Sequence, residues 1–279
     1  MALPQFIVSI QRILHARHVN RCGAIARHLG WQLRKLIGPV PVARRLSKSW
    51  ISDDSSTGVM SLVNSLGIYD FNNMTLFSEY LLDGGTFLDV GANIGSYTLL
   101  LSENEKVDVI SFEPNPLAFA KLKANVELNR RSNVTLVNAA LSSSDGELMM
   151  TNHRSSACNK VVTSAVDRGV MVQSKRLQEF LDNISRREPI LAKIDVEGHE
   201  MDVLEGAGEA LGAIQLFALE ELPGADFARL MNSRGFRGPY YADAIARRLS
   251  RVRPPFSEDG IFLSDDTLLA KRGWRIDPS

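Results

Sequence analysis

Two cysteines in 279 residues, Cys22 and Cys158, are too few for a disulfide framework or a thiolate metal cluster. That usage suits a reducing compartment, and a cytoplasmic protein is expected. No apolar run approaches the roughly 20 residues of a membrane span. The patch Phe6-Ile7-Val8-Ser9-Ile10 is too short for a secretory leader, and no cationic stretch precedes it. Internal repeats and low-complexity blocks are missing as well. The net charge is zero, and the basic residues are not interleaved with aromatic stacking groups, so no nucleic-acid partner is expected.

One absence is local. Residues 1–50 hold nine Lys or Arg (Arg12, Arg17, Arg21, Arg27, Arg34, Lys35, Arg44, Arg45, Lys48) and no acid, which leaves the remainder with a net charge of −9. Helical spacing shows in Ile10, Ile13 and Leu14, and again in Ile25, Leu29, Leu33 and Leu36. We expect this segment to act as a helical cap that neutralises an acidic domain. Peripheral docking on the inner face of a membrane, or on an acidic partner, is the alternative for a basic amphipathic helix.

What is present is ordinary for a folded α/β chain: 44% hydrophobic and 23% charged residues, at a length that buries a real core. Pro39 and Pro41 break the N-terminal helices, and Ser47 to Gly58 reads as a linker. We expect a basic helical region with its linker over 1–58 and the main domain over 59–279. Residues 59–83 read as a helical lead-in. Strands near 86–91, 107–112, 134–140, 190–195 and 214–220 then alternate with helices near 94–103, 116–129, 177–184, 200–211 and 225–234. Such alternation predicts a doubly wound, mostly parallel sheet. Residues 147–151 with 169–173 suggest an inserted strand pair, and 237–242 with 260–263 an antiparallel edge.

The chemistry concentrates in three places. Asp89-Val90-Gly91-Ala92-Asn93-Ile94-Gly95 is a glycine-rich turn from a buried strand into a helix, where a cofactor can approach the backbone. Glu113, 18 residues after Gly95, ends the next strand, where an acid accepts hydrogen bonds from a ribose diol. The dinucleotide fingerprint has three glycines; this turn has two, and the Asp89 carboxylate would repel a pyrophosphate while suiting an ammonium. S-adenosylmethionine, with an ammonium, a sulfonium and no phosphate, fits better than a nicotinamide cofactor.

The third place is Ile190-Leu191-Ala192-Lys193-Ile194-Asp195-Val196-Glu197-Gly198-His199-Glu200, a buried strand ending in a polar cluster. Strand alternation would send Asp195 and Glu197 to one side, and with His199 they are the candidate bases for a substrate hydroxyl. Asp195 and Glu197 are also the candidate ligands if a Mg²⁺ is used. His199 alone reads as structural, Lys193 as the partner of a nearby acid, and Glu200 as a residue of the helix N-terminus. Glu220-Glu221, at the end of another strand, lies on the same sheet edge and is a weaker candidate for lining an acceptor pocket.

These segments resemble the FkbM-type S-adenosylmethionine-dependent methyltransferases. The likeness lies in Phe87 to Gly95, Phe112-Glu113-Pro114-Asn115-Pro116, Asn138-Ala139-Ala140-Leu141-Ser142, and Lys193 to Glu200 with Val203-Leu204-Glu205-Gly206-Ala207; it covers about residues 80–222. The resemblance implies a class I, Rossmann-like fold with a seven-stranded sheet, and methyl transfer to oxygen, often a sugar hydroxyl on a glycan, glycolipid or small molecule. It implies that Asp89, Gly91, Asn93, Gly95 and Glu113 hold the cofactor, with the Ala140–Leu141 backbone near the adenine. An NAD-dependent oxidoreductase and a non-enzymatic docking module are the alternatives.

Overall fold

A computed structural model describes residues 3–38, 41–54, 58–151, 159–162, 169–183, 187–220, 224–255 and 259–278. The chain opens with helices α1 (Leu3–His15) and α2 (Arg21–Lys35) and a hairpin of β1 (Pro41–Leu46) and β2 (Ser49–Asp54). Helices α3 (Gly58–Leu66) and α4 (Phe71–Tyr80) lead into β3 (Gly85–Val90), α5 (Ser96–Leu101), β4 (Val107–Phe112), α6 (Pro116–Leu128) and β5 (Val134–Val137). Next come β6 (Ala140–Leu141), β7 (Gly146–Thr151), β8 (Val161–Val162), β9 (Gly169–Lys175) and α7 (Leu177–Asn183). The chain continues through β10 (Ile190–Ile194), α8 (Glu200–Ala207), a 3-10 turn (Gly208–Ala213), β11 (Leu216–Leu219) and α9 (Gly224–Ser233). It ends with β12 (Arg237–Asp243), β13 (Arg248–Ser250), β14 (Gly260–Leu263), α10 (Thr267–Lys271) and β15 (Arg275–Ile276).

The main sheet runs β15-β13-β12-β14-β11-β10-β3-β4-β5. Seven of these strands, β12-β14-β11-β10-β3-β4-β5, form the Rossmann-like sheet that was expected, with β14 antiparallel to both β11 and β12. β13 and β15 extend it to nine at one edge, and their short patterns gave no strand signal. The chain order turns back beside β3, which pairs in parallel with β4 on one side and β10 on the other. That reversal opens a crevice past the strands' carboxyl ends, where open α/β sheets bind ligands.

Alternation divides the core into two layers. Phe87, Val109, Leu191 and Ala218 point to one face, against Phe77, Tyr80 and Tyr97. Leu88, Ile110, Ala192 and Phe217 point to the other, against Val203, Leu204 and Phe227. Both faces are covered, which is why these strands read as continuous apolar runs.

Three expectations change. Ser47 to Gly58 is not a linker: residues 49–54 form β2, paired with β1, and the hairpin docks on α6. Asn125 exchanges hydrogen bonds with Ser52 (2.8 and 3.0 Å), and Lys121 meets Asp53 at 2.6 Å. The expected strand 134–140 divides: β5 stays in the main sheet, while β6 pairs with β9 in a separate sheet ordered β6-β9-β7-β8. Asn138 sits at the break, its Nδ2 donating to the Glu113 carbonyl at 2.7 Å. The helix expected over 94–103 starts later, because Gly95 at φ 93° caps it. The inserted strand pair is present as β7 against β9.

Nor does residue 58 divide two cores. Trp31, Val42, Leu46 and Ile51 share one cluster with Met60, Ile94, Leu99 and Leu122. Arg27 donates to the Ser65 carbonyl at 2.7 Å, a cation at the C-terminus of α3 where the dipole favours one.

One close contact locks α8 onto the rest. A Cβ on Gly206 would lie 2.0 Å from the Ser142 carbonyl oxygen, whereas one on Gly212 would meet nothing within 4 Å. Gly206→Ala is therefore expected to lose about 2–3 kcal/mol in urea unfolding, and Gly212→Ala to stay within about 0.5 kcal/mol of the parent. Equal stabilities would mean that this backbone contact does not constrain the fold.

Candidate active site

The turn after β3 is built around close backbone approach. Gly91, at φ 82°, lies so near the end of β10 that a Cβ there would sit 1.9 Å from the Asp195 carbonyl oxygen. Its glycine is demanded by the protein's own chain. Gly95 packs on Leu122, which a Cβ would approach to 2.6 Å. Gly91 lines a cavity of about 190 Å³, together with Asn93, Glu113, Ala140, Leu141, Asp195, Glu197 and His199. Five of the seven residues expected to hold the cofactor therefore face one space.

Gly95 and Asp89 do not line it. Asp89 is buried beneath the turn, where Oδ2 accepts from the Thr98 amide (2.9 Å) and hydroxyl (2.5 Å). Thr98 Oγ1 also meets Ser111 Oγ at 2.7 Å. The N-cap of α5 is a glycine without a side chain, so Asp89 supplies the missing cap acceptor from the neighbouring strand. The expectation that Asp89 faces the cofactor's ammonium is corrected on this ground: its carboxylate holds the helix that carries the turn. Burial pushes its pKa up to about 6, against the opposing effect of the Thr98 hydrogen bonds.

Glu113 faces the first cavity. Its Oε2 accepts from the Asn93 amide and its Oε1 from the Asn115 amide, both at 2.8 Å. A carboxylate has about four acceptor sites, so two remain for a diol. The same amide bonds tie the turn to the start of α6, where Asn115 caps the helix ahead of Pro116. Burial is the largest influence on Glu113 and raises its pKa to about 7 despite these two bonds.

A second cavity of about 330 Å³ opens on the other side of Asp195. Its walls come from α1 (Arg12, His15), the segment after it (Arg17, His18), the α3–α4 region (Tyr69, Asp70, Phe71, Asn73), the end of β12 (Ala242, Asp243) and Asp259, just before β14. Tyr69, Asp195 and Glu220 belong to both cavities.

This junction carries a buried charge network. Lys193, on the face of Phe87 and Leu191, sets its ammonium 2.5 Å from Asp195 Oδ2 and 5.3 Å from the Tyr97 ring centre. Burial opposes the ammonium, but Asp195 and Asp259 outweigh it and hold its pKa well above the usual lysine value. Burial likewise opposes the Asp195 charge, and Lys193 with a hydrogen bond from Glu220 overcomes it, so the Asp195 pKa is lowered. Glu220 takes the opposite course. Its hydrogen bond to Asp195, then burial, push its pKa to about 9, so near neutral pH it holds a proton beside an ionised partner. Glu220 Oε2 is buried with no hydrogen-bond partner among the described residues.

The expected catalytic trio separates. Asp195 lies between the cavities; Glu197 and His199 line the first. Glu197 is past the end of β10 at φ 55°, so strand alternation does not govern it. Its carboxylate nevertheless converges with those of Asp195 and Glu220, with oxygens within 4.8 Å of one another. His199 is occupied at both nitrogens, Nε2 with Ser142 Oγ (3.0 Å) and Nδ1 with Asp202 (3.1 Å), and burial lowers its pKa. It anchors Ser142, next to Ala140 and Leu141. Glu200 accepts from the Gly198 amide (3.2 Å) at the start of α8, the helix-terminus role expected for it. Glu221 lies outside the described residues. Tyr69, Asp259 and the α1 residues were not legible as site residues, because they come from segments without a motif.

A seven-stranded open α/β sheet whose next-to-last strand, β14, is antiparallel, with an acid-lined crevice at the strand reversal, is the class I methyltransferase fold. The Methyltransferase FkbM domain matches residues 89–237, and the chain belongs to that family. Among similar proteins, the hexuronic acid methyltransferase AglP of Haloferax volcanii is 30% identical over 138 residues, covering 50% of this chain and 56% of its own. Methyltransferase 1 of Beauveria bassiana is 30% identical over 146 residues, covering 44% and 59%. The chain thus spans under two thirds of the length of these curated relatives. Among solved structures, TYW2 of M. jannaschii in complex with AdoMet superposes at a TM-score of 0.40 and 13% identity, covering 80% of this chain and 86% of its own. An rRNA methylase from Streptococcus thermophilus gives 0.39 at 14%, covering 68% and 91%.

The Glu113 carboxyl provides a pH test of the first cavity. Its folded pKa of about 7 is above the ordinary 4.5, so the folded state binds the extra proton between them. Its contribution to stability is complete below about pH 4.5 and lost as pH rises through about 7. Glu113→Gln should flatten this fall, by on the order of 2–3 kcal/mol between about pH 4.5 and 8. Urea unfolding of both proteins across that range is the measurement; parallel profiles would place Glu113 in water.

Proposed function

We propose that this chain is an S-adenosylmethionine-dependent O-methyltransferase that methylates a hydroxyl of a sugar, in a glycan, glycolipid or small molecule. The observation that carries the reading is Asp195, which stands in the wall between two cavities and remains ionised. The first cavity suits a cationic nucleoside. Ionised Asp195 lines it with the carboxyl groups of Glu113, Glu197 and Glu220, which accept hydrogen bonds or carry charge, against one lysine, Lys160, and such a surface favours an ammonium and a sulfonium over a pyrophosphate. This balance also argues against the nicotinamide alternative. When bound, S-adenosylmethionine would supply an electrophilic methyl group, with Glu113 on the ribose and the Ala140–Leu141 segment beside the adenine.

The second cavity would take the acceptor. Asp70, Asn73 and Asp259 offer hydrogen bonds, and the stacked rings of His18 and Phe71 (4.0 Å between centres) offer an apolar face, a mixture that suits a carbohydrate. A relative named for a hexuronic acid supports the same substrate class. In transfer, Asp195 would take the proton of the acceptor hydroxyl as the methyl passes to that oxygen and the sulfonium–methyl bond breaks, leaving a neutral thioether. Lys193 keeps Asp195 ionised for this purpose, and Glu220, protonated, steadies the carboxylate it touches. Positioning across the shared wall supplies a further part of the acceleration.

The test is incubation with methyl-labelled S-adenosylmethionine and a panel of sugar acceptors, read by mass spectrometry. Asp195→Asn should retain cofactor binding by calorimetry and lower turnover about 10²–10⁴-fold. Glu220→Gln, which keeps the hydrogen bond to Asp195, should cost less. A folded Asp195→Asn protein with near-parent turnover would remove Asp195 from the mechanism. Lys193 already supplies a cation at Asp195, so EDTA should leave turnover unchanged; loss restored by Mg²⁺ would give that work to a metal at Asp195 and Glu197.

A further inference from the structure

The helical hairpin formed by α1 and α2 caps the domain with one side and leaves an unusual surface on the other. Helix α2 buries Ala24, His28 and Trp31. On its outer side Ala26, Leu29, Gly30, Leu33, Leu36 and Ile37 follow at three- and four-residue spacing, all exposed. Leu33, Leu36 and Ile37 are 66%, 83% and 79% exposed. Helix α1, joined to α2 by the ring contact of Phe6 with His28, adds exposed Ile7, Val8 and Leu14. Scattered exposed apolar residues are ordinary; a continuous stripe along a helix is not.

We propose that this hairpin face docks on an anionic lipid surface. Charge selects the occupant. Every charged residue among the first fifty is basic; Arg34 and Lys35, both half-buried, stand in the same turn as Leu33, Leu36 and Ile37, with Lys35 toward His28, while Arg21 and Arg27 on the same helix are exposed. A helix with apolar side chains on one face and cations beside them lies in the plane of the headgroups, its apolar side sunk toward the acyl chains. A second copy is a poor occupant. A twofold contact through this stripe would bring two basic segments together without an acid from either. The remaining net charge of −9 would be repelled by the same lipids, which orients the molecule hairpin downward. Among the described residues no helix is long and apolar enough to cross a membrane, so the contact is peripheral.

The experiment is sedimentation of the full chain with phosphatidylcholine vesicles, with and without about one-third phosphatidylglycerol. Binding is expected to the anionic vesicles and not to the neutral ones, and should weaken at about 0.5 M salt. Leu33→Ser with Leu36→Ser should reduce the bound fraction about tenfold or more, because both side chains are exposed in the folded protein and buried in lipid. Arg34→Gln with Lys35→Gln should act in the same direction. Binding of S-adenosylmethionine by the Leu33/Leu36 variant should equal the parent's, which keeps this outcome separate from the enzymatic reading. A full chain that stays in the supernatant at low salt, or that binds vesicles regardless of these variants, overturns the proposal. So does a dimer, seen by sedimentation equilibrium, that Leu33→Ser with Leu36→Ser dissolves.

Discussion

A buried ammonium must be neutralised, and the functional half of this molecule is arranged around that requirement. Lys193 sits in the central layer of the sheet on the face that carries Phe87 and Leu191, buried at the edge of the second cavity. Asp195, two residues on, meets it at 2.5 Å, and Asp259 adds a second negative group from the C-terminal part of the chain. Uncompensated buried charge is among the most destabilising defects a fold can carry. The pair therefore fixes where β10 ends and how its last side chains point. Asp195, held ionised, forces its neighbour Glu220 to keep a proton. Two carboxyl groups of unlike protonation result, at the one place where both cavities meet.

The glycine turn depends on the same strand end. Gly91 presses on the Asp195 backbone closely enough to exclude any Cβ, so the floor of the first cavity and the base candidate are parts of one contact. Asp89 and Glu113 show how environment divides two acids that look alike in sequence. Each ends a neighbouring parallel strand, each accepts backbone amides, and burial raises both pKa values. Asp89 is turned inward because α5 lacks a side-chain cap; Glu113 is turned to the crevice because its amides come from the two loops that border it.

One side of the N-terminal segment is core, with Trp31 in the cluster that also holds Met60 and Leu122. Its end, Arg12 to His18, is wall to the second cavity. The outer side is apolar and basic. A segment that carries no recognisable motif thus contributes to stability, to the second cavity and to surface character at once.

Periodicity and turn chemistry by themselves determined the central strands, the helices between them, the inserted pair β7 and β9, and the antiparallel edge. They also located the glycine turn, Glu113 and the Lys193–Glu200 cluster on one edge of the sheet. These features are local: a buried parallel strand reads as an apolar run, and glycines with acids at strand ends read as a ligand-binding crevice. Tertiary structure alone decided the rest. The Ser47–Gly58 stretch looked like a linker because its strand is held by Asn125 and Lys121, more than 60 residues away. The role of Asp89 was decided by Thr98, that of His199 by Ser142 and Asp202, and that of Asp195 by Lys193 and Glu220. Whether a carboxyl or an imidazole faces a cavity, keeps a proton or holds a helix depends on which distant groups surround it. Spacing along the chain does not encode those distances; burial and packing do.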